Sequence, residues 1–501
     1  MSDEPKQQTQ SESKGEPKGE PGETAKKKPE PRELRSVTQG TLLLDGRSLA
    51  YTATASTLLL RDAEDEARAS VFSVAYTLDA TSAEQRPVTF CFNGGPGSSA
   101  VWLHLGAFGP KRAAFADPQH PPPPPYRLED NDASLLDVSD LVFVDPVGTG
   151  YSRVAGSAKA EEFQSVQGDV DSMADFVRLW LTRNRRWNSA KLLCGESYGG
   201  TRVAALAATL QDRGIFLNGV VLVSPALDFQ ALEFQPGNDL PSVLYLPSYA
   251  VTARYHGQLA PEPADLAAFL AEVRAFAYDV YAPALMRGAK LSESERRAVL
   301  AKLVAYTGLP EVFLAQNALR IDNMRFGKEL LRARGLVVGR LDSRFTGAED
   351  DAGGAHAASD PSYSAPLGPY TALMNVYLRD TLLIEEDRAY EILSMKVNEA
   401  WKWELPKGRT GGYTNVVASL RRAMLDNPRL RVLFASGYYD LATPFFAAEH
   451  AAQHLGLEPQ LRANVSEAFY EAGHMMYLHA PSRAKLRADL LAFFAAAAPS
   501  A

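Results

Sequence analysis

Five short apolar runs constrain what this 501-residue chain can fold into. They are PVTFCF (87–92), LVFVD (141–145), KLLC (191–194), VVLVS (220–224) and VLFA (432–435). None alternates apolar with polar residues, so each suits a strand buried on both faces, as in a parallel sheet covered by helices. Upstream, GTLLLDG and SVFSVAYTL alternate in short runs and are predicted as antiparallel strands at the start of that sheet. A helix is predicted between the second and third runs. Phe163, Val166, Val170, Met173, Val177 and Trp180 recur there at three- and four-residue steps and mark one apolar face. Strand–helix–strand repetition of this kind indicates α/β architecture.

Between the fourth and fifth runs the pattern changes. ADLAAFLAEVRAFAYDVYAPAL (264–285) is expected as one helix. SESERRAVLAKLVAYTG (292–308) is expected as another, opened by a Ser292/Glu295 capping box and closed at Gly308. Its Gly, Asp, Ser and Pro content marks TGAEDDAGGAHAASDPSYSAP (346–366) as loop. The simplest organisation is a core of residues 36–229 and 421–501, interrupted by a mainly helical cap over 230–420. That cap is expected to lie over the C-terminal edge of the sheet, where open α/β sheets bind ligands. Residues 1–35 are rich in Glu, Lys, Pro, Gly, Ser and Gln, and are expected to form a disordered tail, because they offer too little apolar surface to offset ordering.

The third run leads into chemistry. KLLCGESYGG (191–200) is followed by TRVAALAATLQ, which places G-x-S-x-G between a strand and a helix. Such a turn pushes a serine oxygen into the open, and Gly195 and Gly199 remove side chains that would collide there. Serine needs a base to take its proton and a third group to orient that base. Of the histidines after Ser197, His474 in YEAGHMMYLHAP follows a predicted strand and sits beside a glycine. His450 and His454 share one helix face at metal-ligand spacing, but no third ligand is near them in sequence. For the acid, Asp440 follows the run VLFA in the same manner. Asp228 is its rival, with capping the start of the insertion as its plainer role. FNGGPGSS (92–99) leaves a strand and is placed to supply an oxyanion N–H, as is Tyr198 after the serine. It lacks the Lys-Ser/Thr of a phosphate loop and is not G-x-G-x-x-G.

With these residues assembled, the chain resembles the serine carboxypeptidase family of the α/β-hydrolase superfamily, as a bacterial-type member. FNGGPGSS, DPVGTGYS (145–152), GESYGG, SGYYD (436–440) and AGHMM (472–476) occur in that family's order. The resemblance implies an α/β-hydrolase core with a helical insertion and removal of single residues from peptide C-termini. It implies Ser197 as nucleophile, His474 as base and Asp440 as orienting acid, with Gly95 and Tyr198 donating oxyanion N–H groups. It implies Asn93, the Gly94 N–H and Glu196 as the holders of the substrate's terminal carboxylate. A Glu that binds a carboxylate must share a proton with it, since two close anions repel.

Two departures stand out. The family's ELGP is AFGP here, with Ala107 where a second Glu is usual. Its GDxD is GYYD, with Tyr438 for the first acid. The expected consequence is a pH optimum nearer neutral. The triad alone would also suit an esterase or acyltransferase, or could persist in an inactive binding protein.

Composition narrows partners. A formal net charge of −8 gives no support to nucleic-acid binding. No stretch approaches the roughly 18 apolar residues of a membrane span. Cys91 and Cys194 are too few for a disulfide framework, and free buried thiols are expected. No cofactor or metal is expected, and the partner is a peptide with a free C-terminus. The start has no apolar h-region, so a cytoplasmic location is expected, or a periplasmic or secreted one if the true start lies upstream.

Overall fold

The computed structural model describes residues 33–79, 85–351, 353–403 and 412–498. The strands of the main sheet are β1 (Arg35–Leu44), β2 (Arg47–Arg61), β3 (Ala67–Leu78), β4 (Val88–Phe92), β5 (Asp140–Val144), β6 (Lys191–Glu196), β7 (Gly219–Val223), β8 (Arg431–Gly437) and β9 (Val465–Tyr470). A tenth short strand, Arg153–Val154, pairs off β3. The order is β1-β2-β3-β5-β4-β6-β7-β8-β9. β1, β2 and β3 form an antiparallel meander, and β3 lies antiparallel to β5. From β5 to β9 every pairing is parallel.

The five apolar runs are strands β4 to β8, and their burial explains their composition. Every residue of β4, β5, β6 and β7 is buried, so neither face can carry polar alternation. One face packs on α1 (Val166–Arg183) and α2 (Tyr198–Asp212) through Val170, Met173, Val177, Trp180, Leu206 and Leu210. The other face packs against Leu486, Leu490 and Phe494 near the C-terminus, and against Leu103 and Leu105. Cys91 and Cys194 face each other in the β4–β6 register, buried and free, since side-by-side parallel positions suit a disulfide poorly.

The chain leaves the sheet after Val223 and returns at Arg431. This long excursion carries α3 (Leu240–Tyr255), α4 (Leu266–Phe276), α5 (Glu293–Thr307) and α6 (Pro361–Val376). α3 to α5 build a core of their own around Tyr249, Val273, Leu303 and Phe326, joined to the sheet through Phe445 and Phe446. The capping box of α5 is formed: the Ser292 hydroxyl accepts from the Glu295 N–H, the Glu295 carboxylate accepts from the Ser292 N–H, and Gly308 closes the helix in a left-handed conformation.

Four expectations are corrected. The helix expected over 264–285 is broken by a wider turn at Ala277–Tyr281 just before Pro283, whose ring cannot continue an ordinary helical turn. The loop expected over 346–366 begins with a short strand, Thr346–Ala348, and its end is helix: Asp360 caps α6 by accepting from the Ser362 N–H, and Pro361 takes the first helical position. The boundary expected at 420 falls inside α7 (Val417–Asp426), whose Leu420, Ala423 and Met424 pack into the sheet-side core. Of the tail expected over 1–35, residues 1–32 lie outside the described residues. Glu33 is paired with Arg183 at 2.8 Å, and Arg35 already opens β1.

Among the described residues no helix is long and apolar enough to cross a membrane.

Candidate active site

The C-terminal ends of the parallel strands converge on one point. The loops after β4, β6, β8 and β9 bring Asn93–Gly95, Glu196–Ser197, Asp440 and His474 together. Ser197 stands between β6 and α2 with φ +62° and ψ −126°, a conformation that few non-glycine residues adopt. It is held by the bond from its N–H to the Val223 carbonyl (3.0 Å) and by its carbonyl, which accepts from Gly200 (2.8 Å) and Ala226 (3.2 Å). A side chain at Gly195 would run into the Gly199 carbonyl, and one at Gly199 into the Phe92 carbonyl, so the elbow closes only with glycine at both places.

His474 and Asp440 are joined. Nδ1 of His474 lies 2.7 Å from Oδ2 of Asp440, and both residues are buried. Oδ1 of Asp440 accepts from the N–H groups of Ala442 (2.7 Å) and Thr443 (3.0 Å). The Thr443 hydroxyl sits 2.8 Å from Oδ2, 3.1 Å from His474 Nδ1 and 2.9 Å from the Ser224 carbonyl. The backbone of His474 is fixed as well, its N–H donating to Leu341 and its carbonyl accepting from the Ser224 hydroxyl (2.8 Å). Burial, the largest influence on the imidazole, disfavours its charge. The charge and hydrogen bond of Asp440, with Glu196 behind them, outweigh it, and the net shift is upward from the ordinary 6.5. Among the described residues the Ser197 hydroxyl has no hydrogen-bond partner, so the expected link to His474 is not formed. Both residues line the same cavity of about 330 Å³.

Glu196 points into that cavity beside the serine. It is buried, and Oε2 accepts from the Tyr477 hydroxyl at 2.8 Å. Burial raises its pKa to about 7; His474, the Tyr477 hydroxyl and the Asn93 amide oppose the rise, and the Asp440 charge adds to it. Next to it, Asn93 accepts the Leu103 N–H on Oδ1 (3.0 Å), and its buried side-chain amide acts on the Glu196 carboxyl, whose charged form it favours. Gly94 and Gly95 also line the cavity, and the N–H of Tyr198, the first residue of α2, has no acceptor within the helix. The site therefore offers N–H groups near the serine and, beside them, a donor with a protonatable carboxyl.

Ala107 is buried in the turn after the Gly-rich loop, and the Glu196 carboxyl is bonded to the Tyr477 hydroxyl. A side chain added at neighbouring Gly106 would meet the phenols of Tyr370 and Tyr477. Glu196 is thus partnered by a phenol, which donates a proton without carrying a negative charge. Tyr438 does not face the cavity; it stacks on Phe469 at 5.9 Å, in a cluster crossed by the Arg274 guanidinium. Asp228 lies elsewhere: it caps the turn Phe229–Ala231 and lines a separate depression with His450 and His454. Those two imidazoles stack at 3.8 Å, and among the described residues no three acidic, His or Cys side chains group as metal ligands.

Sequence reasoning missed the residues that hold the site in place. Arg202 of α2, fully buried, pairs with Asp169 (2.8 Å) and donates to the Asn93 carbonyl (2.6 Å), which fixes the Gly-rich loop against the elbow. Asp145 of DPVGTGYS accepts from the Ala100 N–H at 2.9 Å and the Tyr390 hydroxyl at 3.1 Å, tying down the loop's far end. Thr443 had a local signal, being three residues after Asp440 where a turn closes on the acid's own carboxylate. The outer wall comes from the excursion: Arg340, Leu341, Asp360, Tyr363, Leu393 and Asn398.

Residues 61–231 match the serine carboxypeptidase family. That segment holds Asn93–Gly95, Glu196 and Ser197; Asp440 and His474 lie beyond it. The pheromone-processing carboxypeptidase KEX1 of Fusarium vanettenii is 29% identical over 139 residues, covering 26% of this chain and 20% of the relative. Serine carboxypeptidase-like 51 of Arabidopsis thaliana is 29% identical over 144 residues, covering 27% of this chain and 29% of the relative. The chain thus matches less than a third of the length of either curated relative. Both are eukaryotic, one fungal and one plant, and they do not bear out the expectation of a bacterial-type member. Among solved structures, the prohormone-processing carboxypeptidase Kex1(delta)p of Saccharomyces cerevisiae superposes with a TM-score of 0.54 at 15% identity, over 88% of this chain and 91% of that one. The fold is the α/β-hydrolase fold.

Proposed function

We propose that this protein is a serine carboxypeptidase that removes the C-terminal residue of peptides through an acyl-enzyme on Ser197. The observation that carries the reading is the buried Asn93 amide beside a Glu196 carboxyl whose pKa is raised to about 7, both lining the cavity next to Ser197. A simple esterase has no use for such a pair.

His474 takes the Ser197 proton as the hydroxyl attacks the scissile carbonyl, and Asp440 keeps Nδ1–H turned away so that Nε2 is the base. The N–H groups of Gly95 and Tyr198 receive the oxyanion. His474 then protonates the departing amine, and water repeats the sequence to release the shortened peptide. Asn93, the Gly94 N–H and protonated Glu196 hold the terminal carboxylate, with the Glu196 proton shared between two carboxyl groups that would otherwise repel. The part of the excursion that carries α3 to α6 acts as the cap that shapes the peptide's approach.

The test is release of free leucine from benzyloxycarbonyl-Phe-Leu, combined with fluorophosphonate labelling. Leucine release and labelling that vanish in Ser197→Ala and persist in Ser99→Ala are expected. Absence of both in the wild-type protein would refute the reading and favour a binding role for the scaffold.

A further inference from the structure

Among the described residues that line the cavity, Arg340 is the one arginine or lysine, and the excursion supplies it. Arg340 follows the strand Leu336–Val338 and lines the cavity, close enough to His474 for its charge to oppose the imidazolium. Its backbone is committed: the N–H donates to Asp360 Oδ1 at 3.1 Å and the carbonyl accepts from the Leu441 N–H at 3.0 Å. Its guanidinium is not. Among the described residues it makes no hydrogen bond, its side chain is 45% exposed, and its nearest acid, Asp360 Oδ2, is 4.0 Å from Nε. Asp360 itself is occupied on Oδ1 by the N–H groups of Arg340 and Ser362 and by the Ser362 hydroxyl.

The position decides what the guanidinium can meet. Asp360 opens α6, and Tyr363 one turn on reaches Trp102, with ring centroids 6.2 Å apart. Trp102 precedes Leu103, whose N–H is bound by Asn93. Arg340, Asp360, Tyr363 and Trp102 thus form one stretch of the cavity wall that continues toward Asn93, and a residue held by its terminal carboxylate at Asn93 and Glu196 has this stretch within reach of its side chain. Trp102, Tyr363 and Met475 add apolar surface to the cavity, and Arg340 adds a solvent-exposed guanidinium.

We propose that Arg340 selects peptides whose C-terminal residue carries an acidic side chain. The inference rests on the carboxypeptidase reading and adds the class of leaving residue. A guanidinium with five donors and no hydrogen bond offers a carboxylate two parallel bonds that a glutamine side chain matches only in part.

The experiment compares kcat/KM for benzyloxycarbonyl-Phe-Xaa, with Xaa Leu, Glu, Gln or Lys, in the wild-type, Arg340→Gln and Arg340→Lys proteins. The wild type is expected to favour Glu over Gln by about fivefold or more, the size of a partly exposed ion pair. Arg340→Gln should abolish that ratio, which is read between peptides so that any effect of the lost charge on His474 is common to all four and cancels; Arg340→Lys should restore part of it, and 0.5 M NaCl should weaken it through screening. Turnover of the Leu peptide with a Glu/Gln ratio of one, a ratio unchanged in Arg340→Gln, or a preference for Lys directed at Asp360 would overturn the inference. Absence of wild-type turnover on all four peptides would instead remove the carboxypeptidase reading, and this inference with it.

Discussion

The two walls of the cavity are built differently. The sheet-side wall, from Asn93–Gly95, Glu196, Ser197 and His474, is largely buried, and its backbone is pinned by strand ends, a strained elbow and the Arg202–Asp169 pair. The wall from the excursion presents Arg340, Met395 and Tyr363 at partial exposure, on connections and helix starts. Reacting groups need fixed geometry, because an ångström of misplacement costs rate. Groups that read a substrate side chain gain from accessibility and tolerate replacement. Substitutions on the first wall should therefore abolish function or fold, and those on the second should change selectivity alone.

The strongest way to break this contrast is at the proposed nucleophile and its partners. Ser197→Ala and His474→Ala should each lower kcat by at least about 10⁴-fold with an unchanged thermal midpoint, and Asp440→Asn should follow at about 10³–10⁴-fold. Steady-state kinetics beside thermal melts checks this, and a loss under tenfold at any of the three would remove that residue from the proposed mechanism. Arg202→Met should act on the fold instead. It strands Asp169 as a buried unpaired acid and frees the Asn93 carbonyl, at a cost of about 3–5 kcal/mol measurable by denaturant unfolding.

Glu196 sharpens the contrast through pH. Its carboxyl is protonated below about 7 and can share that proton with the substrate; above 7 its charge repels the substrate. His474, with its pKa raised above 6.5, must be neutral to act as base, so activity falls as pH drops through that pKa. The expected kcat/KM profile for a blocked dipeptide is a bell near neutral pH. A peak below about 5, close to an unshifted carboxyl, would contradict it. Glu196→Gln should remove the alkaline limb and keep the acid one. The smallest effects belong to the outer wall: Met395→Ala should change kcat/KM for a Leu peptide by no more than about threefold, because its side chain is already half in water.

The same division marks what the sequence made legible. Strands β4 to β8 were readable because burial on both faces leaves an unbroken apolar run in the residues themselves. The elbow was readable because Gly195 and Gly199 are demanded by local sterics, and the motifs around Asp440 and His474 end strands of the same kind. Arg340, Tyr363 and Arg202 were not readable as site residues, since nothing within a few positions of any of them marks the cavity; each arrives through tertiary packing. The start of α6 was misread for a different reason. A dense run of Gly, Ser and Asp outweighed the Asp360–Pro361 pair, which by itself signals a helix start.

The central claim, that Asn93 and Glu196 make this serine read a free C-terminus, is tested most directly by one comparison. Turnover of benzyloxycarbonyl-Phe-Leu should be measured against its C-terminal amide at pH 6.5, where Glu196 is mostly protonated. The account predicts a kcat/KM at least about tenfold higher for the free acid, the worth of a charge-assisted hydrogen bond. Equal turnover of acid and amide would contradict it.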